Sequence, residues 1–329
     1  MMEPPGASAG IETSQVEAPP PPVPEHDLLR LIGSGGSGQV WLARNALGTY
    51  RAVKIVHRRS LGTGQSFDRE FNGVVRFEPL SRLHDGLVDI LQVGGSPEAG
   101  YFYCVMELAD DVRTGQTIIP ERYVPRTLAY DLTQRRRLPT GECVRLGAAV
   151  ASALGFLHRH HLVHRDIKPS NLIFVNGFPK LADVGLVAAR SEPHSHIGTE
   201  GFIPPEGAGT PRADIYSLGK VLYEISTGKD RNDYPELPDS LGNNAEDRDL
   251  IQFNKIVLKA CRTAPVRRFR SAEELMTALL SFGFNTYDMR RRKTRWRWSQ
   301  VVGLIGLLVG LGIFGLGLWR LVWLVAHGP

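Results

Sequence analysis

His164-Arg165-Asp166-Ile167-Lys168-Pro169-Ser170-Asn171 gathers a carboxylate, an ammonium and a carboxamide into eight residues. His164, Arg165, Asp166, Lys168 and Asn171 are five fixed chemistries at fixed spacing, and such a run is a specific signal. Twelve residues after Asn171 stands Asp183, followed by Val184 and Gly185. A carboxylate at such a turn supplies the oxygen that a hard cation prefers.

Upstream, Gly33, Gly35 and Gly38 form G-x-G-x-x-G between Ile32 and Val40. Glycine lets backbone amides approach phosphate oxygens with no side chain in the way. The same spacing serves a dinucleotide-binding turn, but that turn opens into a helix. Here Gln39 to Ala43 and Tyr50 to Val56 read as two strands of a hairpin. A plain flexible glycine turn stays open on this spacing alone. The second strand carries Ala52-Val53-Lys54-Ile55 and so places a lysine behind the glycine turn.

Downstream come Gly198-Thr199, Pro204-Pro205-Glu206, Asp214-Ile215-Tyr216-Ser217-Leu218-Gly219 and Pro265 to Arg268. Taken in order, these segments resemble the protein kinases, specifically the eukaryotic-like serine/threonine kinases of bacteria, over residues 26–283. The resemblance implies an α+β, two-lobed protein kinase fold, with a small β-rich lobe, a larger α-helical lobe and ATP between them. It implies that Asp166 accepts the hydroxyl proton of a protein substrate, that Lys168 balances charge on the moving phosphoryl group, and that Asn171 and Asp183 hold Mg²⁺. For ATP it implies contacts from Ile32, Gly33, Gly35, Gly38, Val40, Ala52 and Lys54. Met106 becomes the gatekeeper and Glu107 to Ala109 the hinge that meets adenine. By the same resemblance Lys168, two residues after Asp166, matches serine/threonine kinases better than tyrosine kinases, and Thr199 would help shape the acceptor site. An ion pair between Glu206 and Arg268 is expected. Two departures stand out: valine replaces the usual phenylalanine at Val184, and Pro204 replaces the alanine before Pro205-Glu206.

The strand-rich half runs from His26 through stretches at Val88 to Val93 and Phe102 to Leu108, and the chain turns helical after about Leu128, most clearly over Glu142 to His158. Phe67, Phe71, Val74 and Val75 recur at helical spacing, with Pro79 closing the run. Two acids compete to partner Lys54 from this helix. Glu78 precedes a proline and is followed one turn later by Arg82, whereas Glu70 lies inside the amphipathic run with apolar Val74 one turn on, so Glu70 is favoured. Asp110 to Val124 is longer and more polar than a usual connection after the hinge, and reads either as a docking or gating loop or as an inert insertion. Arg165 beside Asp166 suggests control by a phosphate on the activation segment, for which Ser191, Ser195 and Thr199 are the hydroxyls available.

The two ends differ in kind. Residues 1–25 hold seven prolines and few large apolar groups, the composition of a disordered arm. The first Arg or Lys is Arg30, so no cleaved secretion signal is expected. Residues 284–297 carry Arg290, Arg291, Arg292, Lys293, Arg295 and Arg297, and removing those six charges from the net +5 leaves −1, so no nucleic-acid-binding face is implied. Residues 298–319 lack any charge and at helical rise would cover roughly 32 Å, enough for one transmembrane helix. Trp296, Trp298, Trp319 and Trp323 flank it, and the preceding basic cluster places the kinase domain in the cytoplasm, with 320–329 as a short extracytoplasmic tail. Gly306 and Gly310 form a G-x-x-x-G that would permit a homodimer. Cys104, Cys143 and Cys261 are widely spaced among apolar neighbours and read as reduced structural thiols. The expected function is an autophosphorylating serine/threonine kinase in membrane-associated signalling. The alternatives are a catalytically weak pseudokinase scaffold and a small-molecule phosphotransferase on a related fold.

Overall fold

The computed structural model describes residues 20–283 apart from 37, 62–63, 97, 99, 184–187, 190–197, 240 and 243. The basic cluster, the apolar stretch 298–319 and residues 1–19 of the arm lie outside the described residues, as do Val184, Gly185, Ser191 and Ser195. Among the described residues one helix is long and apolar enough to cross a membrane, Thr140–Arg159, and it is a buried core helix.

The first half is an antiparallel sheet of β1 (His26–Gly35), β2 (Gly38–Asn45), β3 (Tyr50–His57), β4 (Ile90–Ser96) and β5 (Tyr101–Met106), in the order β1-β2-β3-β5-β4. Side chains alternate across a strand, and the register sorts the residues by face. Val40, Lys54 and Cys104 lie in one row across three strands, and Ala52 pairs with Met106 two residues along. This is the inner face. Ala43, Val53, Ile55, Tyr103 and Val105 pack on the other face, where Val23 of the proline-rich arm covers them. β4 starts two residues later than its apolar pattern suggests. Val88 donates instead to the Leu181 carbonyl at 2.9 Å, which ties this stretch to the larger lobe before the strand begins.

Helix α1 (Gly64–Ser81) packs Phe67, Val74 and Phe77 inward. It runs two residues past Pro79, which falls in the last turn. There the Ser81 hydroxyl donates to the Glu78 carbonyl at 2.7 Å and satisfies an end group.

The second half is helical: α2 (Leu128–Arg135), α3 (Thr140–Arg159), α4 (Pro211–Thr227), α5 (Ala245–Ala260) and residues 272–283. Local chemistry sets their ends. Thr210 caps α4 by accepting from the Ala213 amide at 3.1 Å, Pro211 opens it, and Gly228 closes it at φ 70°. Buried Leu146, Val150, Leu154 and Leu157 of α3 join Leu218, Val221 and Leu222 of α4 and Phe253 and Val257 of α5 in one core. A side chain at Gly219 would stand 2.6 Å from the Cys261 sulfur, so only glycine lets α4 and α5 approach this closely. Short ribbons complete the lobe: β6 (Leu162–Val163) with β9 (Ala188–Ala189), and β7 (Leu172–Val175) with β8 (Phe178–Leu181). All three cysteines are free and buried, and burial pushes each thiol up to about 12.

Candidate active site

A cleft of about 410 Å³ opens between the sheet and the helical lobe. Its roof is Ile32, Gly33, Gly35, Gly38, Val40, Ala52 and Lys54, its back is Met106 to Ala109, and its floor holds Lys168, Asn171, Ile173 and Asp183. Gly38, at φ 120°, sits where a side chain would press into the Ile55 carbonyl, which is why the β1–β2 turn needs glycine there.

Lys54 reaches both lobes. Its ammonium donates to Glu70 Oε1 of α1 at 2.8 Å and to Asp183 Oδ1 at 2.7 Å. Burial opposes its charge, but the two carboxylates outweigh that and hold the ammonium above its ordinary value. Asp183 is lowered, because Lys54 overcomes the cost of burial, whereas burial dominates at Glu70 and raises it. Glu78 pairs instead with exposed Arg82 at 2.7 Å.

The loop carrying Asp166 is held from below. Asp214 of α4 is 1% exposed, and its carboxylate accepts the amides of His164 and Arg165, both at 2.9 Å, and meets His158 Nε2 at 2.8 Å. This support lets Arg165 adopt φ 73°; Asp183 likewise stands at φ 57°. Left-handed conformations at residues other than glycine cost roughly 1–3 kcal/mol each and persist where surrounding bonds impose them. The histidine and the aspartate that support the loop lie 56 residues apart, so no local pattern links them.

On that loop Asp166 is 6% exposed. Its Oδ2 accepts Lys168 Nζ at 2.8 Å and the Asn171 amide at 2.9 Å, and its Oδ1 accepts the Thr199 hydroxyl at 2.8 Å. Lys168 also donates to Thr199 Oγ1 at 2.8 Å. A hydroxyl thus already sits between the carboxylate and the ammonium. Because Asn171 Nδ2 is spent on the carboxylate and carbonyl of Asp166, its amide oxygen is turned away from them. Together with Asp183, Asn171 offers the hard oxygen donors that suit Mg²⁺ when phosphate oxygens complete the shell.

Just after β5, Glu107 Oε1 accepts from the Asp89 amide at 2.8 Å and from Lys180 Nζ at 2.6 Å, which fixes the strand's exit against β8. Tyr123, Pro125 and Thr127 extend the cleft wall beyond Ala109; Pro125 and Thr127 carry no sequence signal, and Tyr123 is marked there only as part of the connection 110–124. Further out, Arg268 is 2% exposed and its guanidinium binds Glu206 at 2.5 and 2.9 Å, the expected ion pair.

A nucleotide-sized cleft, a lysine bridging a helix glutamate and a floor aspartate, and a carboxylate holding a hydroxyl define a phosphoryl-transfer class of protein. The chain belongs to the protein kinase family, whose domain model matches residues 26–300. It is similar to the DNA damage-responsive serine/threonine-protein kinase RqkA of Deinococcus radiodurans, 35% identical over 62% of this chain and 30% of that protein. It is also similar to serine/threonine-protein kinase PrkC of Bacillus subtilis, 28% identical over 76% of this chain and 39% of that one. A further relative is serine/threonine-protein kinase PknB of Mycolicibacterium smegmatis, 29% identical over 78% and 42%. The chain therefore spans between about a third and a half of the length of these curated relatives.

Proposed function

We propose that this chain is a serine/threonine protein kinase that transfers the γ-phosphate of ATP to hydroxyls of protein substrates. The observation that carries the reading is the Asp166, Lys168 and Thr199 cluster, in which a carboxylate and an ammonium converge within 2.8 Å on one hydroxyl. In this reading a substrate hydroxyl approaches Asp166, which orients it and takes its proton, while Lys168 offsets charge on the transferring group. Lys54, kept cationic by Glu70 and Asp183, steadies the α and β phosphates, and the glycine turn covers them. Mg²⁺ held by Asn171 and Asp183 would neutralise charge that develops on the phosphate oxygens. Lys54, Asp166, Asn171 and Asp183 are all present, so the pseudokinase-scaffold alternative has no missing residue to rest on.

The reading includes a single membrane span at 298–319, with the kinase domain on the cytoplasmic side, the basic segment 284–297 at the bilayer surface and 320–329 beyond it. It includes autophosphorylation at Ser191, Ser195 or Thr199, favoured by a homodimer through Gly306 and Gly310. The resemblance to bacterial serine/threonine kinases and the uncharged 22-residue stretch support these parts. The test sets the full chain beside its Asp166→Asn variant, each with Mg-ATP and casein as a generic acceptor. Wild type should transfer phosphate and the variant should lose about 10³-fold or more. Transfer by both, or by neither, overturns the proposal.

A further inference from the structure

The 15-residue connection Asp110 to Val124 is built, turn by turn, on two buried aspartates. Asp111 accepts the amides of Arg113, Thr114 and Val124 and the Thr114 hydroxyl, all at 2.9 Å. Asp110 accepts the Asn176 and Gly177 amides of the β7–β8 turn at 2.9 and 2.8 Å, as well as the Gln116 carboxamide. The Val112 amide donates to the Val124 carbonyl at 3.1 Å and closes the loop on itself. So many pinned groups give a defined shape, and that shape buries one large side chain in the wall of the cleft.

That side chain is Tyr123, 1% exposed. Its hydroxyl donates to the Ala109 carbonyl at 3.0 Å, the residue is part of the cleft wall together with Pro125, and its own carbonyl accepts from the Arg30 guanidinium on β1. Burial, reinforced by the charges of Asp111 and Asp110, holds the phenol above its ordinary value. One residue thereby joins the hinge peptide, the cleft wall and a strand of the smaller lobe.

We propose that Tyr123 is a nucleotide-positioning residue, which orients the last hinge peptide at Ala109 by holding its carbonyl, and that the loop 110–124 is the strap that presents it. The proposal rests on the ATP-cleft reading above. Its loss acts on binding of the base and leaves Asp166, Lys168 and Asn171 in place, since these stand on a separate loop anchored by Asp214.

The experiment uses the full chain as wild type, Tyr123→Phe and Arg30→Met, with calorimetric titration of Mg-ADP and steady-state transfer from ATP to casein. Tyr123→Phe removes a single oxygen atom, and circular dichroism should match wild type. The expected result is a five- to tenfold rise in Kd for ADP and in KM for ATP, about the factor for one buried hydrogen bond. The kcat at saturating ATP should stay within about twofold and the KM for casein should not move. Arg30→Met should shift Kd in the same direction by a smaller factor. An unchanged Kd in both variants, or an equal fall in kcat, sinks the positioning role; a shift confined to the casein KM assigns the loop to substrate docking instead. If wild type itself fails to bind ADP, the ATP-cleft reading falls, and this proposal with it.

Discussion

Lys54 illustrates how a single residue depends on elements it does not belong to. In sequence it is a lysine on a strand, a residue that normally faces water. In the structure it is 7% exposed, and two carboxylates from other elements hold its charge. Replacing it with methionine leaves Glu70 and Asp183 facing each other without a cation. The Lys54→Met variant should lose about 10²–10³-fold in kcat/KM, the usual loss for one preorganised electrostatic group, and circular dichroism should retain the native spectrum. An activity loss below tenfold would show that Lys54 does not contact the phosphates of the bound nucleotide.

At the scale of an element, the loop 110–124 shows a charge used as a structural pin. Burial alone would raise Asp111, but the amides of Val124, Arg113 and Thr114 and the Thr114 hydroxyl bring it from 3.8 down to about 2. A carboxyl depressed in the folded state stabilises the fold above its unfolded value, and that contribution disappears as pH falls through the folded value. The amides of Arg113, Thr114 and Val124 should therefore stay protected from hydrogen exchange above about pH 4 and lose protection progressively from there toward pH 2. In Asp111→Asn the same amides should exchange faster at neutral pH. Protection that ignores both the acid and the substitution would mean that the loop is held by something else.

Across the molecule, the Glu206 to Arg268 pair ties the end of the activation segment to the chain that follows α5. Besides Glu206, Arg268 donates to the carbonyls of Arg262, Arg212 and Thr263 at 2.6, 2.9 and 3.0 Å, and its guanidinium lies over the Tyr216 ring. Its side chain is fully buried whereas that of Glu206 is 28% exposed. Loss of the arginine removes a donor from three carbonyls and both donors from a carboxylate, whereas loss of the glutamate takes one acceptor group from a cation that keeps its others. Arg268→Met should thus cost about 3–5 kcal/mol, and Glu206→Gln distinctly less, in urea unfolding monitored by fluorescence. Equal costs would contradict this asymmetry.

The order of chemistries along the chain was legible without coordinates, because both motifs are local: Asp166, Lys168 and Asn171 lie within six residues, and Gly33, Gly35 and Gly38 within six. The alternation of Val40, Ala52, Lys54 and Met106 onto one face also follows from strand periodicity once the register is known. Contacts between distant segments were another matter. The choice of Glu70 over Glu78 rested on helix phase, and only the packing of α1 against the sheet put the Glu70 carboxylate 2.8 Å from Lys54. The Asp110 to Val124 stretch read equally well as a docking loop or as an inert insertion, since polar composition says that a segment can be solvated but not what it touches. Tertiary structure alone placed Tyr123 under the Ala109 carbonyl and Asp214 beneath the loop that carries Asp166, because hydrogen bonds across 14 and 50 residues leave no periodic trace in a sequence.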